Sequence, residues 1–218
     1  MLTKIEFLAP RACFKEPAPE VLAAAVILRD AVDAHIRNDI CRASDLFAEA
    51  NNPIIYQWAR TIFGARDQNV IRFRKVDNIK RIPKDLRPPL RKPTRSLQQQ
   101  LVARDGYHCR FCGMPVIHER IRRLAEDRYP SSVPWTGRPD REKHAAFLCM
   151  WMQFDHVIPH SVGGETTIEN MVITCAPCNY GRWYNTLEEL GLMDPRERPP
   201  VKSDWDGLER FSNVNFPA

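Results

Sequence analysis

Apolar residues near the start of the chain recur at helical spacing. Val21, Ala25, Leu28, Val32 and Ile36 share one face, which predicts a helix over residues 20–36 that buries that face. Ser44 suits the cap of a second short helix. A third is better punctuated: Asn52 can cap it, Pro53 suits the first helical position, Ile54, Ile55, Trp58 and Ile62 supply a stripe, and Gly64 suits the exit. Periodicity then stops. Residues 72–95 hold four prolines, which disfavour helix and central strand alike, so an extended arm lying along a surface is expected. Beyond it the pattern resumes with a short helix over residues 96–104, a charged helix over 119–128, a loop over 130–139 and a helix over 141–150. MWMQFDHVI reads as a strand, PHSVGGETT as a glycine-bearing loop and MVITC as a second strand. A helix from Ala176 to Leu190, closed by Gly191, should follow. Trp205, Leu208 and Phe211 are placed to pack a proline-rich tail back on the core.

These elements divide the chain into a helical N-terminal domain (1–71), a basic arm (72–95), an α+β domain (96–191) with a helical insertion (116–150), and a C-terminal extension (192–218). No catalytic constellation falls in the first helices, and His35 reads as an ordinary helix residue. No apolar run approaches bilayer-spanning length and the N-terminus lacks a signal-peptide pattern, so a cytoplasmic protein without a membrane partner is expected.

Charge changes the picture of the arm. The whole chain carries a formal +5, yet residues 72–95 hold ten Lys/Arg against two Asp/Glu, so the remainder is net acidic. Such a stretch is either a solvated spacer or an arm that follows a phosphate backbone, with Arg91, Lys92 and Arg95 as the candidate contacts.

Cysteine spacing adds a metal. Four of the seven cysteines form two C-x2-C pairs, Cys109/Cys112 and Cys175/Cys178. Two such knuckles make a closed tetrahedral set of four thiolates, the structural form of zinc binding, whereas a redox pair needs only one. Cys13, Cys41 and Cys149 read as small buried hydrophobes.

FDHVIPHSVGGETTIENMVITCAPCN leads through the second knuckle, and RDGYHCRFCG holds the first. With Asp155-His156, Pro159, Gly163-Gly164, Asn170 and Cys175-x2-Cys178-Asn179 in this order, residues 96–190 resemble the HNH (His-Me finger) nucleases. The resemblance implies a ββα-metal finger stabilised by the four-cysteine zinc site. It implies His156 as general base, Asp155 and Asn179 as ligands of a catalytic divalent ion, and Asn170 as the residue that fixes the loop carrying His156. Where the family name calls for a final histidine this chain has Asn179, and an oxygen-only pair suits Mg²⁺ or Mn²⁺ better than Zn²⁺. His160 is a candidate nitrogen ligand, although a loop residue touching phosphate or solvent is the plainer reading. Arg182 stands where a lysine often follows and is expected to contact phosphate, while Trp183 and Tyr184 are expected in the core rather than as base-stacking residues. The insertion is rich in arginine and either covers a substrate groove, binds a partner or faces water.

The implied activity is metal-dependent hydrolysis of double-stranded DNA, as in restriction, anti-phage or mobile-element systems, with the N-terminal domain a candidate surface for a protein partner. Two alternatives stand beside it: a zinc-stabilised nucleic-acid-binding module without catalysis, and a ribonuclease on the same finger. On the first reading Asp155→Ala should abolish activity with the fold intact.

Overall fold

A computed structural model describes residues 9–63 and 69–213; Gly64, the expected exit of the third helix, lies outside the described residues. Among the described residues the first helices are α1 (Pro19–Ile36), α2 (Ile40–Glu49) and α3 (Pro53–Arg60). The expected face of α1 is buried at Val21, Ala25, Leu28 and Val32, whereas Ile36 at its end is exposed. Four alanines on the same face, Ala24, Ala25, Ala31 and Ala34, are buried and let α2 approach closely. α2 starts four residues before Ser44, because Asn38 takes a left-handed φ of 62° and presents Asp39, whose carboxylate accepts from the Arg42 amide at 3.1 Å. Ser44 lies inside the helix instead, with its hydroxyl 2.9 Å from that of Ser132. In α3 the Asn52 side chain caps Ile54 N as expected, but Ile54 faces solvent and the buried stripe is Ile55, Trp58, Ala59 and Ile62.

The second half holds α4 (Arg95–Asp105), α5 (Glu119–Arg128), α6 (Ala145–Cys149), β1 (Met152–His156), β2 (Met171–Cys175), α7 (Ala176–Arg182) and α8 (Leu187–Leu190). α6 is half the length expected, since a 3-10 turn over Asp140–Glu142 comes first and His144 then caps the helix. β1 and β2 pair antiparallel, Met152 opposite Cys175 and His156 opposite Met171. The single helix expected over residues 176–190 is broken at Trp183 (φ 52°). It restarts with a capping box of Thr186 and Glu189, and Gly191 closes it.

One hydrophobic cluster runs from Cys13 to Phe211 and takes in the N-terminal helices, the insertion and the tail. Polar ties cross the same boundaries. His144 sits fully buried and donates Nε2–H to Phe47 O at 2.8 Å, and Asn51 Oδ1 accepts from Ala145 N at 2.7 Å. His35, read from sequence as an ordinary helix residue, is buried, 2.6 Å from the Tyr129 hydroxyl and edge-on to Phe211. Cys13 and Cys149 are buried as expected, whereas Cys41 is exposed, being in the first turn of α2 on its outer face.

The arm is irregular apart from a 3-10 turn at Lys84–Leu86 and is strapped to the finger. Ile82 N donates to Ser161 O at 2.7 Å. Arg81 reaches both Glu189 carboxylate oxygens at 2.6 and 2.7 Å and Tyr184 O at 2.8 Å. Among the described residues no helix is long and apolar enough to cross a membrane.

Candidate metal centre and catalytic cleft

The cysteine site is built by the two knuckles and the end of β2. In the first, Gly113 N donates to Cys109 O at 2.8 Å and Cys109 N to Met114 O at 2.9 Å. Gly113 closes the turn at φ 76°, where a side chain would be strained. Arg110 N donates to Ile173 O at 2.8 Å, which binds this knuckle to β2. In the second, Cys175 ends β2 and Cys178 lies in the first turn of α7. The four sulfurs all lie within 4.8 Å of one another, and Cys112 Sγ is 3.7 Å from Cys175 Sγ. That is far beyond a disulfide and near the edge of about 3.8 Å that a tetrahedron with Zn–S bonds of about 2.3 Å requires. The donor set therefore fits a structural zinc ion. Cys13 lies nearby, but burial first, then the charges of Cys112 and Glu16, push its thiol up to about 12, which keeps it protonated.

A buried carboxylate supports this end. Asp105, completely enclosed, accepts from Arg104 at 2.8 and 2.7 Å, from Arg110 at 3.2 Å and from Ile173 N at 3.0 Å. It ties α4, the first knuckle and β2 together. Sequence reasoning quoted Asp105 as part of a motif without seeing this role. Its position between Arg104 and Arg110 was the available signal.

The other end of the ladder opens on a cleft of about 880 Å³, whose walls include Asp155, His156, His160, Asn179 and Arg182 from the finger and Arg87, Arg91 and Lys92 from the arm. Arg95 is exposed at the start of α4 and is not among the lining residues. The loop between the strands is fixed by buried Asn170, which accepts from Ile158 N at 2.8 Å and donates to Ile158 O at 3.2 Å and Glu165 O at 2.8 Å. Gly164 permits this approach: a Cβ there would sit 1.8 Å from Ile158 O and 2.9 Å from Asn170 Nδ2.

Hydrogen-bond arithmetic gives the histidine tautomers. Leu90 O can only accept, so the Thr166 hydroxyl proton goes to it, at 2.5 Å. The Thr166 oxygen is then left to accept from His156 Nε2–H at 2.8 Å, and Nδ1 of His156 keeps its lone pair. His160 Nε2 donates to Pro88 O at 2.8 Å. Both rings, 5.7 Å apart, are thus oriented by arm carbonyls, one directly and one through Thr166. Burial is the main cause that pushes His156 down to about 4; Asp155 pulls the other way, and His160, Arg182 and Arg91 reinforce the drop. The imidazole is therefore neutral at ordinary pH.

Asp155 and Arg182 form a buried ion pair. Arg182 Nε lies 2.7 Å from Oδ2 and Nη2 3.1 Å from Oδ1, Nη1 donates to Val157 O at 3.0 Å, and Nη2 also donates to His156 O. The Arg182 side chain is 1% exposed, so it braces the end of β1, and the phosphate contact expected from sequence is not where it points. Helical spacing accounts for this: Arg182 lies one turn after buried Cys178 and shares its inward face. Trp183 and Tyr184, expected in the core, are 56% and 48% exposed, because the chain reverses at Trp183 and turns them out into the cleft.

Residues 137–182 match the HNH endonuclease family model. The HNH match spans α6, both strands and α7, and so takes in Asp155, His156, Asn170 and Asn179 as well as the second knuckle. Cys109 and Cys112 lie upstream of it. The HNH segment points to nuclease chemistry on nucleic acid. Comparison of the chain with curated proteins and with solved structures finds no match.

The cleft offers oxygen donors that could hold a divalent ion. Each Asp155 oxygen receives one hydrogen bond from Arg182, which leaves lone pairs on both. Half-buried Asn179 lines the same cleft and offers an amide oxygen. A hard oxygen set of this kind fits Mg²⁺ or Mn²⁺.

Proposed function

We propose that this chain is a metal-dependent endonuclease that hydrolyses phosphodiester bonds in DNA. The observation that carries the reading is the shared cleft of Asp155, His156 and Asn179, with His156 held in one tautomer by Thr166 and Leu90. In this reading Nδ1 of His156 accepts the proton of the attacking water. Thr166 is a positioning residue that keeps Nε2 protonated and the ring in register. Asn170 holds the loop on which the ring's neighbours sit. Arg91 and Lys92 draw the phosphate backbone into the cleft. Asp155 and Asn179 would hold a divalent ion, which supplies Lewis-acid polarisation of the phosphate and of the leaving oxygen. The setting we favour is restriction, anti-phage defence or a mobile element, where a small nuclease of this kind would act on foreign or resident DNA.

A second reading has one observation behind it. Arg182 engages both oxygens of Asp155, and an ion must share them. If it cannot, the chain is a zinc-stabilised binding module.

The test is plasmid cleavage with Mg²⁺ or Mn²⁺ by wild type, His156→Ala, Thr166→Val and Thr166→Ser. Wild type should cut, and His156→Ala should lose about a hundredfold or more. Thr166→Val should lower kcat by roughly tenfold with KM unchanged, and Thr166→Ser should restore it. Binding without cutting under either ion would establish the second reading. Preferential cutting of RNA would make the chain a ribonuclease on the same finger.

A further inference from the structure

We propose that Trp183, with Tyr184 beside it, forms a stacking shelf for an unstacked nucleobase of the bound strand; this rests on the nucleic-acid reading of the cleft. The first observation is placement. Trp183 follows α7 directly, so it stands one residue beyond Arg182 and four beyond Asn179, and it lines the cleft that holds Asp155 and His156. The second is backbone conformation. At φ 52° and ψ −115° Trp183 occupies a region that glycine adopts freely and that a bulky residue adopts only under strain. The backbone at such a turn favours glycine over tryptophan. More than half of the residue is exposed.

The third observation is the chemistry around the ring. The Trp183 and Tyr184 rings lie 4.9 Å apart with their planes inclined at 57°, and the guanidinium of Arg81 sits 5.3 Å from the centre of the Tyr184 ring. Arg81 is itself anchored on Glu189 and on Tyr184 O, so the tyrosine is backed by a fixed cation. Across the same cleft stand Arg87, Arg91 and Lys92. Aromatic faces beside a line of cations are what a single strand needs, bases on the rings and phosphates on the cations. A perfect duplex offers base edges and no free face. The shelf therefore selects nucleic acid with an unpaired base next to the phosphate that enters the cleft.

The experiment measures binding with no magnesium or manganese added, so that cleavage plays no part. Wild type, Trp183→Gly and Trp183→Phe are titrated with single-stranded, perfectly paired and bulged DNA and with a matching single-stranded RNA, and each protein is melted. Trp183→Gly should melt higher than wild type yet bind the single-stranded and bulged DNA about tenfold more weakly, with paired DNA little changed. Trp183→Phe should keep most of the binding. An iodouracil-substituted strand should photo-crosslink to Trp183 or Tyr184. Comparable weakening on RNA would show that the shelf reads the base face alone. Unchanged binding by Trp183→Gly overturns the shelf and leaves the nuclease reading standing. So does a lower melting temperature with unchanged binding, which marks a packing role. Wild type that binds none of the four ligands removes the nucleic-acid reading and the shelf with it.

Discussion

At the Met152–Cys175 end of the two-stranded ladder four sulfurs close on one another; at the His156–Met171 end, oxygens and ring nitrogens line an open cleft. The same two strands and the same helix serve both. α7 carries Cys178 toward the sulfur cluster and Arg182 toward Asp155, one turn apart. The closed end is self-sufficient in donors and leaves no position for a substrate, so its contribution is stability. The open end is incomplete within the finger alone: its two histidines depend on carbonyls of the arm, a segment some seventy residues upstream. A structural site can be specified by short spacing, whereas a reactive site here is assembled from separate parts of the chain.

The largest effect should follow from breaking the closed end. The chain should bind one zinc per molecule, and Cys175→Ser or strong chelation should abolish cooperative unfolding. Structural zinc contributes about 10–16 kcal/mol in small zinc peptides, which is as large as the whole stability of a typical domain at about 5–15 kcal/mol. Metal content by mass spectrometry and melting followed by near-ultraviolet dichroism check this. Normal melting after metal removal would sink the assignment.

The next effect belongs to the joint between the ends. Asp155→Ala strands the buried Arg182 guanidinium without its partner, so the fold should lose about 3–5 kcal/mol. The expectation from sequence that this variant leaves the fold intact is revised for that reason. Adding Arg182→Met to Asp155→Ala should recover much of the loss, because a well-packed apolar side chain removes the stranded charge. Asp155→Asn, which keeps an acceptor for Arg182, is the cleaner probe of activity. Equal melting of wild type and Asp155→Ala would mean that the ion pair does not brace β1.

The contrast between the ends also explains what is legible in the sequence. Cys109, Cys112, Cys175 and Cys178 announce themselves by spacing, and both strands and α5 fall where periodicity put them. Asp155, His156, Asn170 and Asn179 were named through family resemblance, and they meet around one loop and cleft. Thr166 was missed, because a threonine in a polar loop carries no pattern until its hydroxyl is seen between His156 and Leu90. For Trp183 and Tyr184 the sequence offers both the core and base stacking, and favours the core. The turn that exposes them is a departure from helical geometry at a residue with no sequence mark of a turn. Arg182 is expected at phosphate because it stands where the family often has a lysine, and only its helical distance from Cys178 argues otherwise.

The smallest effect on stability, and the sharpest test of how the open end is completed, concerns the arm. Its backbone and its charges have separate jobs: Pro88 O and Leu90 O orient the histidines, while Arg91 and Lys92 face the cleft with exposed side chains. Replacing Arg91 and Lys92 by glutamine leaves the carbonyls in place, so melting should hardly move. Binding to DNA should weaken and its dependence on salt should flatten, by about 0.9 in the log–log slope for each phosphate contact removed from a duplex. Arg95→Gln should change that slope less, since Arg95 lies outside the cleft wall. If Arg95→Gln flattened the slope as much as the other two, the strand would run along the start of α4, and the cleft would be only one stop on a longer path. If none of the three moved it, the arm would act through its carbonyls alone, and the positive charge would have to be sought on another face of the molecule.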